Sequence, residues 1–340
     1  MDELVVRNLV ARLGEKTFGW LHVADMQDSR SAEIPVALLN GCCEGPTLYI
    51  QAAVDGDELN PIAVARDVIA KIDPKKLSGK IIIVILTNFF GFHSKQQWNP
   101  IDNISMNRVW PGRADGYSSE RIVHQLWNEA VIQANYAIDI HQTGTNPSVG
   151  SVYVRVAKNE PFHDETLEMA KIFGMGYILD EKLSKIYASD LLSVKAAETK
   201  LSWNATVKGI PTITPELSGT RGWHKPTILK GTKGVFNVLK WLKMISGEPE
   251  LPEKQYVSNL TKNMICNRGG FLEWNFELGD FIKKGDAVVD VTDPFGRVLE
   301  TLNAPSDGIL WLKTEYPMIS SGMNAGRLGC DYTVTTKGIS

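Results

Sequence analysis

Thr47-Leu48-Tyr49-Ile50-Gln51-Ala52-Ala53-Val54 is an apolar run that passes directly into Asp55-Gly56-Asp57-Glu58-Leu59-Asn60-Pro61. From Ile62 to Ile72 the apolar residues then recur with helical spacing, and Pro61 suits a first helical position. This is a strand, a short acidic turn and a helix. Open α/β sheets place their ligand groups at such strand ends. A second apolar run, Tyr136-Ala137-Ile138-Asp139-Ile140-His141, ends in a histidine. Two carboxylates, Asp55 and Glu58, and the His141 imidazole from separate strand ends can hold a divalent metal and leave a position open for water. The alternative reading is that Asp55, Asp57 and Glu58 cap the helix, because acids favour a first helical turn.

Working outward, Val36–Leu39 and Leu48–Val54 read as strands separated by the turns at Asn40-Gly41 and Glu44-Gly45-Pro46, after a β-rich lead-in over residues 1–35. Ile81–Leu86 is a continuous apolar run suited to a strand buried on both faces. Ser118 and Ser119 are candidate caps for a helix from Glu120 to about Asn135. Strands at Val152–Val156 and Ile210–Glu216 and helices at Glu165–Phe173 and Gly234–Ile245 complete the alternation. The expected fold is α/β, a mostly parallel or mixed sheet flanked by helices. Near Gly247-Glu248-Pro249-Glu250-Leu251-Pro252-Glu253 the composition shifts to that of a linker. Beyond it, glycine turns at Gly269-Gly270, Gly279, Gly285, Gly296 and Gly308 mark a small all-β, barrel-sandwich-like module. The expected division is residues 1–247 and 255–335.

The chain has 340 residues, 43% hydrophobic and 22% charged, as in an ordinary globular protein with more than one core. A net charge of -3 supplies no field for nucleic acid or an anionic membrane, and no apolar run is long enough to span a bilayer. The acidic start, Met1-Asp2-Glu3, predicts no signal peptide. Cys42, Cys43, Cys266 and Cys330 show neither zinc-ligand nor disulfide-framework spacing, so reduced thiols and a cytoplasmic setting are expected.

The order of these pieces resembles the succinylglutamate desuccinylase/aspartoacylase family of the zinc carboxypeptidase clan, from about Val36 through the C-terminal module. That module, with Leu278-Gly279-Asp280-Phe281-Ile282-Lys283-Lys284-Gly285-Asp286 followed by Ala304-Pro305-Ser306-Asp307-Gly308, resembles a biotinyl/lipoyl-type hammerhead. No lysine stands at its hairpin tip, so it reads as structural. The family's His-Gly-x-Glu metal motif stands here as Asp55-Gly56-Asp57-Glu58. The resemblance implies that Glu58 and His141 are metal ligands and that Asp55 takes the place of a histidine. Aspartate binds zinc competently but is a harder donor, so zinc is expected first and Mn, Fe or Co are admitted. Asp139 matches the family's Asp-x-His pattern and lies on the same strand face as His141.

The resemblance further implies that Glu216, in Thr212-Ile213-Thr214-Pro215-Glu216, is the catalytic proton shuttle. It implies that Asn107 and Arg108 grip a substrate carboxylate, for which arginine's planar fork is suited. An arginine that the family uses on the scissile carbonyl is here Gln97, nine positions after Asn88. A neutral amide contributes less to a developing oxyanion than a cation, unless Lys95 or the metal compensates. Gln142, Thr143 and Thr145 follow His141 as candidate substrate contacts. The expected activity is metal-dependent hydrolysis of the amide of a small N-acylated amino acid or related carboxylate by a homo-oligomer. The other readings are an ester, lactam or carboxypeptidase-type hydrolase with the same centre, or a catalytically weakened small-molecule-binding homologue.

Overall fold

The computed structural model describes residues 2–143, 148–156, 161–181, 198–219, 222–314 and 316–336. A hairpin of β1 (Leu4–Val6) and β2 (Leu9–Ala11) leads into β3 (Lys16–Asp25), β4 (Ser31–Asn40) and β5 (Cys43–Ala52). Then come α1 (Leu59–Lys71), β6 (Ser78–Val84), α2 (Phe89–Ser94), α3 (Ser118–Glu129), β7 (Tyr136–Gln142) and β8 (Ser151–Val154). The first part ends with α4 (His163–Phe173), β9 (Tyr177–Asp180), α5 (Leu201–Val207), β10 (Thr212–Leu217) and α6 (Lys225–Trp241). The remaining strands are β11 (Lys254–Ile265), β12 (Gly270–Trp274), β13 (Phe281–Ile282), β14 (Ala287–Thr292), β15 (Val298–Asn303), β16 (Gly308–Lys313), β17 (Met318–Ile319) and β18 (Asn324–Thr336).

One sheet runs in the order β13-β16-β18-β11-β9-β8-β10-β7-β5-β6-β4-β3. At its centre β6, β5, β7 and β10 are mutually parallel, while β4 and β8 join them antiparallel. The α/β expectation therefore holds, with a mixed rather than purely parallel sheet. Strand alternation divides its residues between two layers. Ile50, Ile83, Ile138, Ile140, Val152 and Ile213 pack against α1, α4 and α6 in one core. Tyr49, Ile82, Val84 and Ala137 face the other layer, which α3 and α5 cover through Ile122, Leu126, Leu201 and Ala205. The second layer carries Asp139, His141 and Glu216, one residue out of phase with the isoleucines.

The segment after α6 turns back on that helix: Glu250 N donates to Asn237 Oδ1 at 2.9 Å, and Lys233 Nζ lies 3.0 Å from Glu250 Oε2. Strand β11 then pairs parallel with β9, so backbone hydrogen bonding continues from the first part of the chain into the C-terminal strands. There β11, β18, β16 and β13 face a separate sheet ordered β15-β14-β12-β17. Leu272, Val289, Val291, Leu310 and Leu328 fill the space between them. Phe295 tops the β14–β15 hairpin. All four cysteines are free. Among the described residues no helix is long and apolar enough to cross a membrane.

Several boundaries differ from the sequence expectation. Helix α1 starts at Leu59, so Pro61 is its third residue, not its first; its missing N–H still falls among the unpaired groups of a first turn. Helix α3 stops at Glu129, and a 3-10 turn at Val131–Gln133 follows. Helix α6 begins nine residues before the expected Gly234, with Pro226 in its first turn. Gly231 and Gly234 lie in its interior, where glycine is a poor helix former. Packing explains them. A Cβ at Gly231 would stand 2.7 Å from Val64 Cγ2, and one at Gly234 would stand 2.3 Å from Phe173 Cε1. Both glycines let neighbouring elements approach α6 closely.

Alanine at a helix-interior glycine ordinarily stabilises by about 1 kcal/mol. For Gly234→Ala the clash with the Phe173 ring reverses the sign, and a loss of about 1–3 kcal/mol is expected from overpacking. Denaturant unfolding measures it; a gain in stability would show that α4 and α6 have room to separate.

Candidate metal centre and active site

The acidic turn is shaped by three backbone contacts. After β5 the chain enters the left-handed region at Ala53, φ 52°, a conformation that costs a non-glycine residue about 1–3 kcal/mol. Thr87 N and Asn88 N donate to Ala52 O and Ala53 O, and Gly56 N donates to Gln97 O at 3.1 Å. A Cβ at Gly56 would stand 2.3 Å from Gly91 C and 2.4 Å from Phe92 N. Those are backbone atoms that no rotamer change relieves, so only glycine lets the turn lie against α2. The turn is thus clamped between β5 and α2, and Asp55 and Glu58 face β7.

Glu58 occupies the N-cap position of α1, yet its side chain makes no cap hydrogen bond. Its Oε2 instead accepts from Gln142 N at 2.8 Å and lies 3.1 Å from His141 Nδ1. Asp55 Oδ2 lies 3.4 Å from the same Nδ1. The cap is supplied from outside: Gln142 Oε1 accepts from Asn60 N at 3.1 Å and from Asn60 Nδ2 at 2.7 Å. For Asp55 and Glu58 the helix-capping reading therefore gives way to convergence on His141.

One donor atom each from Asp55, Glu58 and His141 lies within 4.8 Å of the other two, and all three residues are buried. Asp55 Oδ1 is buried with no hydrogen-bond partner among the described residues. Burial, with the Asp55 charge added, pushes the Glu58 carboxyl well above the usual carboxylate range, although His141 opposes this. Burial would lower the His141 imidazole, but Asp139 and Glu58 outweigh it and hold it well above its ordinary value. Buried carboxylates converging on one imidazole, with an orphaned oxygen, form a donor set of two oxygens and one nitrogen that fits a divalent ion. Three protein donors leave a coordination position open.

Support for His141 comes from a buried chain that the sequence reading missed beyond Asp139. His141 Nε2 lies 3.3 Å from Asp139 Oδ2, within ion-pair range although not aligned as a hydrogen bond. Asp139 Oδ1 accepts from Gln51 Nε2 at 2.7 Å, and Gln51 Oε1 accepts from Tyr49 Oη at 3.0 Å. Gln51 and Asp139 are cross-strand partners on β5 and β7. Burial would raise the Asp139 carboxyl, but His141 and Gln51 outweigh it and lower it. A signal for Gln51 was present: it is the one strongly polar side chain inside the apolar run Leu48–Val54.

Glu216 lies in register with His141 across the β10–β7 ladder, on the same face and partly buried. Asn107 is buried and Arg108 exposed, in a 3-10 turn at Met106–Arg108. Trp110 N donates to Thr199 O at 2.9 Å, which ties the segment after that turn to the chain preceding α5. Gln97 is fixed by its backbone: its carbonyl accepts from Gly56 N and from Asn88 Nδ2, while its side chain is exposed. Lys95 is exposed at the C-terminal cap of α2. Thr143 Oγ1 lies 3.1 Å from Ser148 Oγ and 3.3 Å from Leu217 O, so its hydroxyl joins the ends of β7 and β10. Gln142 is likewise engaged, with α1. Thr145 lies outside the described residues.

Comparison with known proteins places the chain in a family. Residues 44–242 match the model of the succinylglutamate desuccinylase/aspartoacylase catalytic domain, and the chain belongs to that family. It is 24% identical over 275 residues to the N-alpha-acetyl-L-2,4-diaminobutyric acid deacetylase of Halomonas elongata, spanning 78% of this chain and 77% of that protein. The product-bound ectoine utilization protein EutE (DoeB) of Ruegeria pomeroyi superposes with a TM-score of 0.81 at 23% identity, covering 93% of this chain and 94% of that one. A succinylglutamate desuccinylase/aspartoacylase of Rhodobacter sphaeroides gives a TM-score of 0.79 at 20% identity, covering 92% and 96%.

Partners of a ligating histidine tune metal affinity, typically by about 10–100-fold. Gln51→Leu is expected to weaken divalent-metal binding by that order and Tyr49→Phe by less. Competition with a chromophoric chelator measures it, with the thermal midpoint of the metal-free protein as control. Unchanged affinity in Gln51→Leu would detach this chain from the metal centre.

Proposed function

We propose that the protein is a metal-dependent amidohydrolase that cleaves the amide bond of a small N-acylated amino acid or related carboxylate. The observation that carries this reading is the convergence of Asp55, Glu58 and His141 within 4.8 Å, in a chain of this family, with Glu216 in register beside His141. The relative acting as an N-alpha-acetyl-L-2,4-diaminobutyric acid deacetylase supports an N-acyl amino acid as the substrate class.

In this reading Asp55, Glu58 and His141 would hold one divalent ion, zinc first, with Mn, Fe or Co admitted by the harder Asp55 donor. When bound, the ion supplies Lewis-acid polarisation of the scissile carbonyl and makes water a competent nucleophile at neutral pH. Glu216 accepts a proton at its carboxylate from the attacking water and delivers it to the nitrogen of the leaving amine. The amide C–N bond breaks, and a carboxylate and a free amine result. Arg108 and Asn107 grip the substrate carboxylate. Gln97 stands where a cation would be stronger, and its amide donates a hydrogen bond to the carbonyl side of the substrate. Thr143, whose hydroxyl also joins the ends of β7 and β10, contacts the substrate beside these groups.

Four free cysteines support a reducing, cytoplasmic setting. The exposed edge strand β3, with Phe18 and Trp20 on its surface, supports assembly as a homo-oligomer.

Elemental analysis is expected to find about one divalent ion per chain, lost or weakened in Asp55→Ala. Glu216→Gln should retain the metal and lower kcat on an N-acyl amino acid panel by about 10²–10⁴-fold, the usual contribution of a positioned proton shuttle. A metal-loaded protein that hydrolyses no panel member, and whose Glu216→Gln variant binds carboxylates as wild type does, would make it a binding protein instead.

A further inference from the structure

Asn60 is the second residue of α1 and is fully buried. A carboxamide taken out of water is costly unless both its ends are bonded. Here Nδ2 donates to Gln142 Oε1 at 2.7 Å and to Gly222 O at 3.1 Å, and Oδ1 accepts from His224 N at 2.8 Å. Gln142 is the last residue of β7, next to His141, and His224 is the N-cap residue of α6. The chain leaving Glu216 passes the same group: a Cβ on Gly219 would stand 3.8 Å from Asn60 Nδ2. The starts of α1 and α6 and the end of β7 therefore meet at one side chain.

A side-chain oxygen at an N-cap position ordinarily accepts from the second or third backbone N–H of its own helix. For Glu58 that second N–H belongs to Asn60, and it is already engaged: Gln142 Oε1 accepts it at 3.1 Å. Gln142 N in turn donates to Glu58 Oε2 at 2.8 Å. The two residues thus exchange partners. The Gln142 side chain caps the helix that Glu58 precedes, while the Gln142 backbone holds the Glu58 carboxylate 3.1 Å from His141 Nδ1. The exchange lasts only while the Gln142 carboxamide stays on the end of α1. Asn60 Nδ2 gives the same Oε1 a second bond, and the Asn60 rotamer is fixed from its other end by His224 N. Without that hold, Glu58 has a competing place on its own helix, where the dipole favours a carboxylate.

We infer that Asn60 is a positioning residue for the metal centre: by holding the Gln142 carboxamide on α1, it keeps Glu58 turned away from its own helix and toward His141. This rests on the proposed metal-dependent reading. Asn60 acts through Gln142, and α6 takes part by fixing the Asn60 side chain through His224 N. The role needs a donor and an acceptor on adjacent atoms, which a carboxamide supplies. Leucine has the same size and supplies neither.

The test is competition with a chromophoric chelator for zinc and for cobalt, on wild type, Asn60→Leu, Gln142→Met and the double variant. Each single variant is expected to lose about tenfold in metal affinity, the scale on which groups that orient a ligand act. The double variant should lose no more than about twofold beyond either single one, because both break one link. At saturating cobalt the visible absorption, which reports donor geometry, should change in both single variants as Glu58 falls back toward α1. Hydrogen exchange followed by NMR separates the two ends of the carboxamide: the His224 amide loses protection in Asn60→Leu and keeps it in Gln142→Met. Gln142→Met leaves Asn60 in place and decides the matter if Asn60→Leu does not fold. Wild-type affinity and cobalt absorption in the variants, with only a lowered thermal midpoint, would make the link structural and overturn the inference, as would fully additive losses in the double variant; the hydrolase reading then stands. Losses of the expected size in a protein that hydrolyses no N-acyl amino acid overturn the hydrolase reading and leave Asn60 in this role. A wild type that takes up neither ion overturns the metal centre and this role with it.

Discussion

Two carboxylates and an imidazole buried together impose the constraint on which the central part of the structure depends. Moving a charged group out of water costs several kcal/mol even after relaxation. Asp55, Glu58 and His141 concentrate that cost in one place, with Asp139 and Glu216 close behind. Such a cluster survives only if each group is matched by a partner of opposite charge or by a fixed donor. His141 is set between carboxylates at both ring nitrogens. Glu58 accepts from the Gln142 backbone, and Asp139 accepts from Gln51. The oxygen left over, Asp55 Oδ1, is the one that a metal ion would complete.

Rigid elements hold this arrangement. The turn bearing Asp55 and Glu58 is locked by the left-handed Ala53 and by a glycine lying against α2. The strand bearing His141 is central, flanked by β5 and β10, so Gln51 on one side and Glu216 on the other are delivered by register alone. Because alternate residues of β7 face opposite layers, Ile138 and Ile140 complete the core under α1 and α4 while Asp139 and His141 stay with the chemistry. A one-residue slip of this strand would exchange the two sets, so the apolar core and the charged centre specify the same register.

The C-terminal strands are joined to this frame through hydrogen bonds as well as through the chain. Parallel pairing of β11 with β9 extends the sheet, and an aromatic group of Tyr177, Tyr256, Trp311, Phe281 and Tyr332 lies at and just beyond the join. The acidic, proline-bearing segment at 247–253 looks like a loose linker by composition. Here Glu250 is drawn onto α6 by Lys233, Lys240 and Asn237.

The sequence by itself determined the elements and the chemical vocabulary of the centre. The strand–turn–helix at Thr47–Ile72, the apolar run ending at His141 and the strand ending at Glu216 are local patterns, legible because side-chain periodicity and turn residues act over a few positions. Asp55, Glu58 and His141 were recognisable from them. The tertiary structure alone decided what surrounds these residues. Tyr49 and Gln51 matter because β5 pairs with β7 in one register. The extent of α6 was hidden because Gly231 and Gly234 answer to Val64 and Phe173, not to helix propensity. Thr143 and Gln142 read in sequence as candidate substrate contacts, and only the fold shows that they also join strands and cap α1. Pairing, burial and the partner of a buried polar atom are contacts between residues far apart in the chain, which no local pattern encodes.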